Sequence, residues 1–172
     1  GYKGNLIRRY FKNNYKNVNI KLVDTGLRTM TGGRLKRLSK FIKNETFLFT
    51  YGDGISDINL NKLITQHKKT KKLVTLTAVR PPARFGALKI KGENVKDFRE
   101  KSKLDEGWIN GGYFIIEPKF LNYIKGDKTY LEKEPLENVT KKKLLGAYKH
   151  NGFWQCVDTK RDKDLLEEYF KK

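Results

Sequence analysis

Thr46-Phe47-Leu48-Phe49-Thr50-Tyr51-Gly52-Asp53-Gly54 is the stretch whose reading decides the fold. Phe47, Leu48 and Phe49 form an apolar run too short for a helix and suited to a buried central strand. The run stops at Tyr51-Gly52-Asp53-Gly54, where two glycines permit a tight turn and close backbone approach. A carboxylate, Asp53, therefore follows the carboxyl end of a strand, which is where open α/β sheets bind ligands. The same residues also read as a surface turn, because Asp-Gly pairs are common turn formers.

Upstream, Leu6, Ile7, Tyr10 and Phe11 recur at helical spacing within Asn5 to Asn14, with Arg8, Arg9 and Lys12 on the other side. Val18, Ile20 and Leu22 alternate with polar neighbours, which predicts a strand over Val18 to Val23. Asp24 to Arg34 is rich in Gly and Thr and leads into a helix with Leu35, Leu38, Phe41 and Ile42 inward. Such a loop could present backbone N–H groups to an anion, although Thr31 also suits a plain helix cap. Arg34, a cation in the first helical turn, opposes the helix dipole, so a ligand or a carboxylate partner is expected there.

Downstream, Asn61 to Lys69 reads as a helix, with His67 in a structural role near its end, and Leu73 to Val79 as a strand. Two prolines in Arg80-Pro81-Pro82-Ala83-Arg84-Phe85-Gly86 break regular pairing. Ala87 to Ile90, Val95 to Arg99 and Trp108 to Ile116 follow as strands, the last interrupted by Asn110-Gly111-Gly112. Glycines inside a strand mark a bulge or a ligand packed on the backbone, and the Asn110 amide can both donate to and accept from a hydroxyl. Pro118 to Ile124 and Leu136 to Lys143 read as helices, and Leu144 to Tyr148 as a strand. A final helix follows Asp158, with Leu165, Leu166, Tyr169 and Phe170 inward. Asp158 is either that helix's N-cap or a second carboxylate for a cation shared with Asp53. His150 and Cys156 have no partners at metal-ligand spacing, which argues against zinc.

A length of 172 residues suits one domain over residues 1–172. No segment is apolar for long enough to span a membrane, and no secretory signal is visible. The lone Cys156 excludes an internal disulfide and fits a reducing compartment. The net charge is +19, but 29 of the 38 basic residues are Lys and nine are Arg. Phosphate and base recognition favours Arg, and no Arg-aromatic interleaving or nucleic-acid motif occurs, so the excess reads as solvated surface. No nucleic-acid partner is expected. The chain opens on Gly1 rather than Met, so a preceding segment is expected.

Six motifs in order, L-V-D-T-G, M-T-G-G-R-L-K-R, F-L-F-T-Y-G-D-G, F-G-A-L, I-N-G-G-Y-F and G-F-W-Q-C-V-D-T-K-R-D, cover nearly the whole chain. Together they resemble the glucose-1-phosphate cytidylyltransferases of the sugar-phosphate nucleotidylyltransferase superfamily. The resemblance implies an α/β fold with a Rossmann-like, mostly parallel mixed sheet flanked by helices, here without its first βα unit. It implies a cytoplasmic, homo-oligomeric bacterial enzyme. That enzyme joins CTP and α-D-glucose 1-phosphate into CDP-glucose, with release of pyrophosphate, for surface polysaccharide such as dideoxyhexose-bearing O-antigen.

Residue by residue, the resemblance assigns Asp53 and Asp158 to a Mg²⁺ ion and counts both, with Lys101, as catalytic. Thr29, Arg34 and Gly52 are assigned to the nucleotide. Lys101 is assigned to the phosphate of glucose 1-phosphate, and Glu100, Asn110 and Gly111 to the sugar. Three departures accompany these matches. The family's glycine-rich phosphate loop would lie before residue 1, the segment from Tyr10 to Leu22 is shorter than in well-known members, and Ser102 stands where Pro is common.

Overall fold

The computed structural model describes residues 1–15, 17–81, 87–99 and 107–171. In chain order the first elements are α1 (Gly4–Asn14), α2 (Thr31–Arg37), β1 (Phe47–Thr50), β2 (Gly54–Ser56), α3 (Leu60–Thr70) and β3 (Val74–Val79). They are followed by β4 (Ala87–Lys91), β5 (Asn94–Arg99), β6 (Ile109–Ile116), α4 (Glu134–Lys141), β7 (Leu145–Lys149), β8 (Trp154–Cys156) and α5 (Lys160–Phe170). Two compact units result: Gly1–Phe47 with Glu117–Leu144, and Leu48–Ile116 with Leu145–Lys172.

In the first unit, Leu35, Phe120, Ile124, Leu131 and Val139 are buried. Pro135 and Glu134 open α4, a proline that has no helical N–H to lose and an acid that suits the positive helix end. The N-terminus of α2 is clamped to residues 127–131. Met30 N–H donates to Asp127 O at 2.8 Å and Gly33 N–H to Thr129 O at 3.2 Å. The guanidinium of Arg37 forks onto the Asp127 carboxylate at 2.8 and 2.6 Å.

Several sequence expectations need correction here. Residues 18–23 alternate as a strand should, yet no pairing forms there among the described residues, and Val18, Ile20 and Leu22 are exposed. Alternation selects a face, whereas a strand also needs a partner's ladder. In α1 the predicted apolar face is present, but Leu6, Ile7 and Tyr10 on it are exposed. The helix predicted after Pro118 is a 3₁₀ segment, Pro118–Tyr123.

The second unit is built on a four-stranded mixed sheet of order β1-β6-β3-β7. β3 runs antiparallel to β6 and parallel to β7. Four of the six β3 side chains are β-branched, and five of its residues are buried, as a central strand requires. α3 is capped by Asn59, whose side chain accepts from Lys62 N–H at 2.9 Å. On it, Leu63 and His67 are buried, and His67 Nδ1 meets Thr75 Oγ1 at 2.8 Å, the structural role expected of it.

Among the described residues β1 lies at the edge of this sheet, where its apolar run suggested a central strand. Its side chains alternate, with Phe49 packed on Phe114 and Leu48 exposed on the other face. A run of three apolar residues satisfies either position. β4 and β5 form a hairpin around Gly92, whose φ of +59° favours glycine. On α5, Leu165, Tyr169 and Phe170 are exposed rather than inward. Tyr169 instead stacks on Phe153, with ring centroids 4.2 Å apart.

Candidate active site

The site grows from a two-stranded antiparallel ribbon that the sequence did not announce. β2 and β8 are three residues each, and Gly54 pairs with Cys156. One step beyond, Val157 N–H donates to Asp53 O at 2.9 Å. This pairing brings together two carboxylates from distant parts of the chain. Asp53, Cys156 and Asp158 each offer a ligand atom, and all three atoms lie within 4.8 Å of one another.

Asp158 is not the cap of α5. Thr159 is: its hydroxyl accepts from Asp162 N–H at 3.2 Å, and the Asp162 carboxylate accepts from Thr159 N–H at 3.0 Å. That reciprocal capping box satisfies the helix end without Asp158. Asp53 is likewise exposed beside Gly52, where an added Cβ would meet nothing within 4 Å.

Cys156 is the residue that sequence reasoning missed. Asp158 is two residues away, but Asp53 is far away in sequence, and only the ribbon register could have joined the three. Burial, then a hydrogen bond to Asp158 and the negative charges of Asp53 and Asp158, push its thiol up to about 11. With no cation bound it is therefore a neutral thiol near neutrality, and the two carboxylates are the hard oxygen donors of the set. The donor set suits a hard divalent cation held by the two carboxylates, with its remaining positions left to other oxygens.

Around this cluster, the strand interruption at Asn110-Gly111-Gly112 is a bulge, marked by a register shift between Leu76 and Ala78 on β3. Gly111 must be glycine, because a Cβ there would stand 2.7 Å from Val79 Cγ1. Gly112 has φ +79°, and its N–H donates to Asn110 Oδ1 at 2.9 Å. That bond commits the Asn110 oxygen and leaves its NH₂ to donate. The bulge is tied to the ribbon by Trp154 Nε1–H donating to Gly111 O at 2.8 Å, and by Tyr113 O–H donating to Gly54 O at 2.8 Å. Asn110, Gly111, Gly52, Asp53 and Asp158 thus belong to the second unit.

Thr29 and Arg34 belong to the first. Thr29 is buried, and Arg34 Nη1–H donates to Thr25 Oγ1 at 2.8 Å. Among the described residues Arg34 has no carboxylate partner. Two N–H groups of the anion-presenting loop expected before α2 are committed within the chain. Met30 and Gly33 N–H already serve carbonyls of residues 127 and 129, and a Cβ on Gly33 would lie 2.6 Å from Asp127 Cα. The two glycines are there for chain-on-chain packing. Glu100 and Lys101 lie outside the described residues.

The nucleotidyl transferase family profile matches residues 2–162. The glucose-1-phosphate cytidylyltransferase of Salmonella typhimurium is 44% identical over all of this chain and 76% of its own length. The enzyme of the same name from Salmonella typhi matches equally, at 44%. Among solved structures, HddC from Yersinia pseudotuberculosis complexed with GMP-PN superposes with a TM-score of 0.73 at 22% identity. That match covers 98% of this chain and 75% of that one. The last likeness bears on the fold alone.

Proposed function

The chain belongs to the nucleotidyl transferase family, and on that premise we propose that it is a glucose-1-phosphate cytidylyltransferase, making CDP-glucose and pyrophosphate from CTP and α-D-glucose 1-phosphate. The observation that carries the reading is similarity over the whole of this chain, and 76% of the relative's length, to enzymes of that name, joined to a carboxylate pair assembled across a ribbon from residues 105 positions apart. In this reaction a phosphate oxygen of the sugar phosphate bonds to the α-phosphorus of CTP. The bond from that phosphorus to the bridging oxygen breaks, and pyrophosphate leaves with the electron pair. No protein nucleophile is required; positioning and charge neutralisation suffice.

Asp53 and Asp158 would hold Mg²⁺, which when bound neutralises phosphate charge at the reacting centre. The open space at Gly52 leaves room for the nucleotide beside Asp53. The Asn110 NH₂ is oriented by its own oxygen's bond to Gly112 N–H, so it offers donors of fixed direction to a sugar hydroxyl. On the strength of the motif resemblance, Thr29 and Arg34 are proposed for the nucleotide, and Glu100, Lys101 and Gly111 for the sugar phosphate. The family profile runs across segments of both units, which supports one nucleotidyltransferase domain over residues 1–172. The proposal extends to a homo-oligomer working in the cytoplasm on a precursor of surface polysaccharide. Among the described residues no helix is long and apolar enough to cross a membrane.

The test is pyrophosphate release with glucose 1-phosphate, Mg²⁺ and, in turn, CTP, UTP, dTTP and GTP. Release with CTP that needs both substrates supports the reading. A clear preference for another nucleotide moves it to a sister hexose-1-phosphate nucleotidylyltransferase. Salt-steep binding of DNA or RNA, with no release from any nucleotide, would favour the basic nucleic-acid module instead.

A further inference from the structure

Three side chains meet at one end of the sheet without being claimed by the site above. Arg80 directly follows β3, Trp108 directly precedes β6, and Lys149 closes β7. The register sets Ala78 beside Lys149 on one side and Val79 beside Ile109 on the other. The three residues therefore gather at the carboxyl ends of the parallel strands β3 and β7, the end at which α/β sheets take ligands. Asn110, paired with Ala78, lies at the same end.

The Arg80 guanidinium carbon stands 4.8 Å from the centre of the Trp108 ring, and Lys149 Nζ stands 5.5 Å from it. Two cations thus share one indole. Neither has a carboxylate partner among the described residues. Arg80 Nε is buried and has no hydrogen-bond partner among the described residues. A buried donor left unmade is costly, and two like charges over one ring repel. Ring quadrupoles hold cations in place but do not neutralise them. Among the described residues the arrangement lacks an anion.

We propose that Arg80 and Lys149, positioned by Trp108, form a subsite for a phosphoryl group. A planar guanidinium fork beside a compact ammonium matches a tetrahedral oxyanion, with Arg80 Nε available as a further donor. Only the carrier of that group, sugar phosphate or pyrophosphate, rests on the reading under Proposed function. The cation pair itself does not.

The experiment is calorimetric titration of the 172-residue chain with glucose 1-phosphate, pyrophosphate, inorganic phosphate and, as a neutral control, glucose. The variants are Arg80→Gln, Arg80→Lys and Lys149→Gln, each checked for an unchanged melting temperature. Loss of a charge-assisted contact should weaken binding of the phosphoryl ligand about tenfold in each Gln variant and less in Arg80→Lys, leaving any glucose binding unchanged. A loss confined to glucose 1-phosphate assigns the sugar substrate as carrier, and one confined to pyrophosphate assigns the leaving group. Wild-type binding of none of the three anions overturns the subsite. So does binding by the Gln variants within about twofold of wild type, a change ordinary for an exposed charge. Lys149 is exposed, so its variant keeps the test open if Arg80→Gln fails to fold. If binding depends on Arg80 while no nucleotide yields pyrophosphate, the subsite stands and the reaction falls.

Discussion

Two glycine-bearing turns in this chain look alike as sequence and differ in what they face. Gly32-Gly33 opens α2, and Gly52-Asp53-Gly54 follows β1; both read as places where backbone comes close to a ligand. At Gly33 the close approach is to the chain itself, with Asp127 Cα 2.6 Å from where a Cβ would be. At Gly52 nothing lies within 4 Å, and the residue has no positive φ that would demand glycine. The first glycine is explained by the fold. The second is not, and a nucleotide beside Asp53 is what we propose would use the room. A glycine without an internal reason is the more informative one for function.

The largest effect that would sharpen this contrast comes from Asp53→Ala. It should lower pyrophosphate release by roughly 10²–10⁴-fold, a range consistent with losing a group that positions charge at the reacting centre. Its melting temperature should stay near wild type, because Asp53 is exposed. A large fall in melting temperature would return Asp53 to the role of a structural turn residue. Gly33→Ala should behave in the opposite sense. Overpacking against rigid backbone costs about 3 kcal/mol or more, so denaturant titration should show it before any kinetic change does.

Gly52→Ala completes the pair. Stability should move by less than about 0.5 kcal/mol, as for a surface change away from any special feature. The KM for CTP should rise severalfold while the KM for glucose 1-phosphate stays. If instead neither KM moves, Gly52 borders open solvent and the nucleotide lies elsewhere. Thr159→Ala removes one half of the capping box on α5 and should cost about 1 kcal/mol. Because Asp158 precedes that cap, a loss of metal-dependent activity larger than the loss of stability would show that the helix start positions the carboxylate.

Much of the site was legible because its motifs carry their own punctuation. Asp53 sits at a strand end, and Asn110-Gly111-Gly112 breaks a strand where a bulge forms. The reading failed where a residue's fate depends on a distant partner. Val18 to Leu22 alternate correctly and still pair with nothing among the described residues, while β2 and β8, too short for any periodicity, pair and build the site. Cys156 looked solitary for the same reason. Thr159 rather than Asp158 caps α5, although both are good capping residues, and only geometry could separate them. Periodicity names faces; it does not name partners.

The smallest effect tests the closed turn through its charge. Arg37, hydrogen-bonded to Asp127, holds that carboxyl below its ordinary value, and the ion pair ties α2 to the segment that packs on Gly33. A depressed carboxylate stabilises the fold above its ordinary titration range, and that share is lost as pH falls through the lower, folded-state value. Wild type should therefore lose stability on acidification below about pH 4, the ordinary aspartate range, in part through this residue. Asp127→Asn should be slightly less stable at neutral pH and should flatten that part of the profile. Both groups are largely solvent-exposed, so the change should be small and should shrink with added salt. An unaltered acid profile in Asp127→Asn would mean that Gly33 and the two backbone hydrogen bonds alone close this turn. The contrast with the open turn at Gly52 would then be one of packing and not of charge.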